Sequence, residues 1–261
     1  LRQAAIGTFD TINPFSLQGK AAQGLNLVYD RLMIQSWDEP FTLYPLLAEK
    51  VIVPDDRSSI TFILNPKAKF SDGSPVTTDD VLFSFTTFRE KGRPNMRNVY
   101  KLVADTMADK DARTITFKLG EGYNRETVMI LAKMPVLPKS WWQDKDFNKT
   151  LLEPPVTSGP YRIASIDVGR RVVFERNPDY WGHGLPVYRG LNNFDRVIYD
   201  YFRDQTAAFE SFKKGDLDIF TDLDPGHWAN AYNNTPAIQN GTIRKESLKH
   251  GRVEKMWGFI Y

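Results

Sequence analysis

Two stretches of the chain carry the same alternation. In DDRSSITFILNPKAKF (residues 55–70) and DARTITFKLGEGY (111–123), apolar residues fall at every second position behind a turn that holds Asp and Arg: Ile60, Phe62 and Leu64, then Ile115, Phe117 and Leu119. A period of two places those side chains on one face of a strand, so the pair is expected to form matching edges of one sheet. The echo is too short for a solenoid repeat.

Between them the period changes. In FSDGSPVTTDDVLFSFTTFRE, Asp72-Gly73 gives a turn, and Thr77 with Asp80 three residues on has the form of a capping box. Val81, Leu82, Phe85 and Phe88 then make a helical stripe. A second helix is expected over RETVMILAKM, stopped by Pro135 and Pro138, with SWWQDKDFNK as a short polar and aromatic segment after it. Nearer the start, LRQAAIGTFDTINPF reads as a short strand running into a turn-rich loop. AAQGLNLVYDRLM has Leu25, Val28 and Leu32 at helical spacing and predicts an amphipathic helix over 21–34.

In the second half, YRIASI and RVVFE read as a hairpin turning at Asp167, Val168 and Gly169. The strand FDRVIYDYF, with Val197, Tyr199 and Tyr201 alternating, is followed by the helix TAAFESFKKG, closed by Gly215, and by the short strand DLDIF. A strand-helix-strand crossover implies parallel strands, whereas the middle section is hairpin-rich. Two subdomains of different character are expected, within an α/β fold.

Composition narrows the chemistry. The 261 residues are 41% hydrophobic, enough for a real core, and 34 basic residues against 32 acidic ones leave a formal charge of +2. Nothing in that balance recruits nucleic acid. No window approaches the ~18 apolar residues of a membrane span. LRQAAIGTFD lacks the basic start and apolar stretch of a signal peptide. With no cysteine, disulfides, thiol catalysis and Cys-based zinc sites are excluded.

His183, His227 and His250 lie far apart in sequence and form no metal pattern, so each reads as an ordinary surface or core histidine. GDLDIFTDLD fails as a calcium loop, because Phe220 and Thr221 stand where an oxygen ligand and Gly are required. No G-x-S-x-G or phosphate-binding loop occurs, and GHGLPV has Val187 in place of a third glycine. The expectation is a protein with no catalytic residue, metal or cofactor. Aromatic residues reach 13%, and most of the six Trp are assigned to core packing.

Three ordered elements resemble the extracellular solute-binding proteins of the peptide and nickel transporter class, the oligopeptide- and dipeptide-binding group. They are LYPLLAEKVIVPDDRSSITFILNPKAKFSDGSPVTTDDVLFSF, TSGPYRIASIDVGRRVVFERNPDYWG and FKKGDLDIF. LPVYRGLNNFDRVIYDYFRDQTAAFESFKKGDLDIF is most similar to the YejA-like branch.

The resemblance implies a type II periplasmic-binding-protein lobe, a mixed sheet with flanking helices, carrying an inserted hairpin-rich α+β subdomain. Residues 1–45 plus 155–261 would form the main domain and 46–154 the insert. A second lobe would follow a point resembling EKMWGFIY, so the chain is expected to be a truncated part of a longer protein. The implied function is capture of oligopeptides or peptide-like compounds between two lobes. Delivery would be to the membrane subunits of an ABC importer, by a periplasmic, monomeric protein.

Ligand contacts implied for this lobe come from the loop after the first strand, Thr8, Phe9, Asp10 and Thr11. Thr221, Asp222 and Leu223, after the G-x-[IVL]-D element, complete the set. The rival cargoes on the same scaffold are an oligosaccharide, an opine-like compound or a nickel chelate. Rivals from other classes are a hydrolase using Asp10 or Asp222 and a docking role for exposed aromatics.

Overall fold

The computed structural model describes residues 1–246 except Trp37, Asp38, Pro40, Leu223 and Asn234. His250, Trp257 and the EKMWGFIY segment therefore lie outside the described residues, as do Trp37 and Leu223.

In chain order the strands and helices begin with β1 (Arg2–Ile6), β2 (Met33–Gln35), β3 (Leu43–Pro45), β4 (Ala48–Ile52) and β5 (Ser59–Leu64). Next come α1 (Thr78–Lys91), α2 (Pro94–Tyr100), β6 (Val103–Asp109), β7 (Thr114–Leu119), α3 (Arg125–Ala132) and α4 (Lys139–Trp142). The chain continues through β8 (Tyr161–Asp167), β9 (Arg171–Arg176), β10 (Arg196–Phe202), α5 (Gln205–Lys213), α6 (Pro225–Asn230) and α7 (Pro236–Gln239). One four-stranded sheet has the order β1-β10-β9-β8, a second has β4-β5-β7-β6, and β2 and β3 form a small hairpin. In the first sheet β1 runs parallel to β10 and the other pairings are antiparallel, so it is mixed, as expected.

The echoing strands β5 and β7 pair with each other at the centre of the second sheet; β4 and β6 are its edges. The reading of the two stretches as edges is thus corrected. Their alternation is that of strands with a neighbour on both sides and one buried face, formed by Ile60, Phe62, Leu64, Ile115 and Phe117. On the opposite face the Thr61 and Thr116 hydroxyls meet at 2.7 Å. Both Asp/Arg turns place their arginine in the left-handed region, Arg57 at φ 55° and Arg113 at φ 53°.

Helix α1 packs on this sheet through Val81, Phe85 and Phe88, with Phe85 and Phe117 rings 5.0 Å apart. Its capping box forms as the sequence implies: Thr77 Oγ1 accepts from Asp80 N, and Asp80 Oδ2 accepts from Thr77 N at 2.9 Å. Asp80 Oδ1 also accepts from Lys139 N at 2.9 Å, so one carboxylate caps α1 and fastens the start of α4. Asp80→Ala is expected to cost about 2 kcal/mol, above an ordinary cap, because a second backbone N–H loses its acceptor. Urea unfolding, with the midpoint reduced and the slope unchanged, checks it.

The helix expected over 21–34 is absent. Gly24 takes φ 82°, and the Phe174 and Tyr199 rings occupy the space where a Cβ would lie; only a single 3₁₀ turn follows, at Leu25–Leu27. Residues 28–32 then run as an irregular segment hydrogen-bonded on several sides. Gly159 N donates to Val28 O, Val136 N to Asp30 O, Leu32 N to Met134 O and Leu47 N to Arg31 O. Gln23, Asn26 and Arg31 stay exposed while Leu25, Val28, Tyr29 and Leu32 are buried through these long-range contacts, so the helical spacing here does not correspond to a helix.

DLDIF is likewise not a full strand: it makes one parallel bridge, Gln3 to Ile219, beside a hydrogen bond from Asp218 N to Arg2 O. The crossover through α5 therefore lands beyond β1, which sits between β10 and residue 219.

The hairpin β8–β9 turns at Gly169, φ 73°, as predicted. Across the first sheet Asp200, nearly buried, accepts from Arg2 Nε and Arg171 Nε, each at 2.5 Å, tying β1, β10 and β9 together. One apolar cluster runs from Val172, Phe174 and Val197 of the first sheet to Phe62 and Phe117 of the second.

Candidate functional site

Strands β1 and β10 and the bridge at Ile219 run in the same direction, so the segments that follow them leave from one edge of the sheet. Outside the carboxyl ends of parallel strands, loops diverge and leave a crevice, the usual place for a ligand on an open α/β sheet. Thr8–Thr11 follow β1, Thr221 and Asp222 follow the bridge, and α5 starts just after β10 with Asp204 as its cap. The two predicted segments thus share that edge. Exposed Ile6 and Ile219 lie on the strands leading to it.

The individual residues divide by burial. Thr8, Asp10 and Thr221 are exposed. Thr8 lies against the β8–β9 turn, where a Cβ at Gly169 would meet its Oγ1 at 2.6 Å. Asp10 Oδ1 accepts from Lys20 N at 2.6 Å and so folds the loop back on itself.

Phe9 is buried, its ring 4.8 Å from that of Tyr201. Thr11 is also buried; its hydroxyl accepts from Leu151 N at 2.9 Å and from Asn13 N at 3.1 Å. These two hold the loop in place, with Asn13 Nδ2 donating to Phe147 O at 2.8 Å and Phe15 packed 4.9 Å from Phe88 of α1. The loop after β1 is therefore anchored to β10 through Tyr201 and to Phe88 of α1, Phe147 and Leu151, while its Thr8 and Asp10 side chains stay accessible.

Asp222 is held by its neighbours. Oδ2 accepts from Tyr232 OH at 3.0 Å and meets His227 Nδ1, and Oδ1 accepts from Asp224 N at 3.1 Å. Burial pushes its carboxyl up, but the His227 and backbone contacts prevail and hold it below the usual carboxylate range. His227 packs edge-on to Phe209 at 4.5 Å. It is more than the ordinary histidine the sequence implied, and only the close spacing of Asp222, His227 and Tyr232 hinted at the contact.

A second polar knot, with no signature in the local sequence pattern, surrounds Asp30. Asp30 is 2% exposed and accepts from Tyr180 OH at 2.7 Å and Tyr188 OH at 2.9 Å, while its own N–H donates to Ser158 Oγ at 2.9 Å. Tyr180 and Trp181 of the NPDYWG element thus pin their loop to the junction between the sheets. They pack 5.9 Å apart, with the Trp181 indole beside the Asp30 carboxyl.

Among the described residues no group of three His, Cys, Asp or Glu side chains is placed to hold a metal ion. No described helix is long and apolar enough to cross a membrane.

A mixed sheet with flanking helices and an open carboxyl edge is the architecture of a type II solute-binding lobe. The chain belongs to the bacterial extracellular solute-binding proteins, family 5, whose middle-region model matches residues 42–249. It is 43% identical to the "Peptidoglycan-binding protein YepA" of Agrobacterium fabrum, over 98% of this chain and 44% of that protein. To the "Probable peptide-binding protein YejA" of the same organism it is 39% identical, over 95% and 41%. Among solved structures, the mannohexaose-bound periplasmic oligopeptide-binding protein of Thermotoga maritima superposes with a TM-score of 0.68 at 25% identity. That match covers 89% of this chain and 43% of the other. The chain thus spans about 44% of the length of the curated relatives it matches.

Proposed function

We propose that this chain is part of the substrate-binding component of an ABC importer. It captures oligopeptides or peptide-like compounds at the edge formed by Thr8–Thr11 with Thr221 and Asp222 and delivers them to the membrane subunits from the outer side of the membrane. The supporting observation is the carboxyl edge itself, where two anchored loops in a family 5 chain leave hydroxyl and backbone groups accessible.

An extended peptide offers a repeating set of N–H and C=O groups that such an edge can pair regardless of side chains, with water filling the remaining space. The YepA and YejA relatives, named for peptidoglycan and peptide binding, favour this cargo. The sheet partition supports residues 1–45 plus 155–261 as the main domain and 46–154 as the insert, since among the described residues no strand pairing joins the two four-stranded sheets. Closure against a second lobe would desolvate the ligand and shift the population to the closed form.

A second reading, an oligosaccharide on the same scaffold, is favoured by the mannohexaose in the Thermotoga relative. Mass spectrometry of solute released from the complete gene product, purified without denaturation, distinguishes them. Peptides or muropeptides are the expected result, and a sugar oligomer alone would overturn the peptide assignment. The 261-residue chain by itself is expected to bind a peptide mixture far more weakly than the complete protein in calorimetry, because one lobe supplies only part of the contacts.

A further inference from the structure

The opposite end of the first sheet is also built for contact. Arg162 of β8, Glu175 of β9 and Arg196 of β10 stand directly across from one another on three adjacent strands. Arg176, Asp195 and His183 join them around an open groove of about 530 Å³. Arg162 Nε bonds Glu175 Oε1 at 2.7 Å, and Arg176 pairs with Asp195. Arg196 makes no ion pair among the described residues. Three guanidiniums face two carboxylates, so the groove carries one uncompensated positive charge before His183 is counted.

Arg196 begins β10, whereas the candidate ligand edge lies beyond Phe202 at its other end. Six residue steps of strand separate them by roughly 20 Å. A solute at the carboxyl edge does not reach this groove.

We propose that the groove is a docking surface for an acidic segment of a partner protein. Half of the Arg162 side chain and 40% of that of Arg176 remain exposed, so both guanidiniums keep N–H donors free for a second carboxylate while paired with the first. The charge row is alternating, positive on β8, negative on β9 and positive on β10. A protein segment with two carboxylates flanking a donor complements that row. A lipid surface of uniform negative charge would set phosphates against Glu175 and Asp195 and would meet a concave groove with a flat face. The inference does not depend on the identity of the cargo.

Fluorescence anisotropy with a fluorescein-labelled peptide of repeating Glu-Lys-Glu, whose alternation matches the Arg162, Glu175 and Arg196 row, added to the complete gene product, tests it. Binding is expected at low ionic strength and to weaken markedly at about 150 mM salt. Arg196→Glu should lower the affinity at least about tenfold and Arg196→Gln by less, with both variants melting like the parent. Arg170→Glu, on the far hairpin turn, should leave the affinity unchanged. The proposal is overturned if the parent does not bind, if Arg196→Glu binds like the parent, or if Arg170→Glu loses as much. It is also overturned if the Arg196-dependent binding is to phosphatidylglycerol vesicles instead of the peptide.

Discussion

Gly159→Ala is expected to destabilise the chain by at least about 3 kcal/mol, at the upper end of what overpacking costs. The glycine of the GPY sequence approaches the backbone of the 27–29 segment so closely that a Cβ would stand 2.6 Å from Val28 C, 2.7 Å from Leu27 O and 2.9 Å from Tyr29 N. All three are backbone atoms, so no rotamer change relieves the contact. Gly159 N also donates to Val28 O at 2.9 Å, and separating the segments to admit a methyl group would break that bond as well. For a chain of this size the cost corresponds to a fall in Tm of roughly 6–12 °C.

Gly73 is the matched control. It has φ 85° with nothing near its would-be Cβ, so Gly73→Ala should cost only the left-handed backbone penalty of about 1 kcal/mol. Equal melting temperatures for the two variants would show that the close approach at Gly159 does not exist in solution.

The contrast between these glycines also marks what a sequence can disclose. Gly73 and Gly169 were legible because a turn is local: a dipeptide or a short span between alternating strands announces it. The Thr77–Asp80 box and the buried stripe of α1 were legible for the same reason. What local pattern did not carry was the setting of residues 21–34, where helical spacing gave way to Gly24 wedged under two rings and a segment bonded to three other stretches, at Leu47, Met134–Val136 and Gly159. The partners of β5 and β7 were another such case, since alternation fixes a face and says nothing of which neighbour lies alongside.

At the candidate edge, the loop positions followed from family resemblance. The division between accessible Thr8 and Asp10 and buried Phe9 and Thr11 is set by contacts to Leu151 and Tyr201, about 140 and 190 residues away.

Asp30 was the least legible residue of all, one acid inside an apolar run, and its replacement is the other large effect expected. Asp30→Ala would leave the Tyr180 and Tyr188 hydroxyls buried without their acceptor, at about 1–3 kcal/mol each. The effect of pH is more diagnostic. Burial drives the Asp30 carboxyl up to about 7 from 3.8, against the opposing pull of the Tyr180 and Tyr188 hydroxyls and the nearby Trp181 indole, which favour the anion. Tyr29 precedes it in the chain, and the Arg31 guanidinium lies near Tyr188. His183 packs edge-on against Tyr180 at 5.4 Å.

Because the folded state binds the proton more tightly than the unfolded state, the stability gained from protonated Asp30 is fully present below about pH 4. It is lost as pH rises toward 7 and changes no further above that. Asp30→Asn keeps a neutral group of the same shape at every pH. The stability difference between parent and Asn variant should therefore shift against the parent from pH 4 to pH 8, by at most about 4 kcal/mol. Tyr180→Phe should widen the difference between the folded and unfolded carboxyl, and so enlarge the pH effect in the same sense, because it removes a donor that favours the anion and raises the carboxyl further. Parallel stability curves for parent and Asp30→Asn across that range would mean that Asp30 is ionised in the fold, with its charge met by the phenols alone.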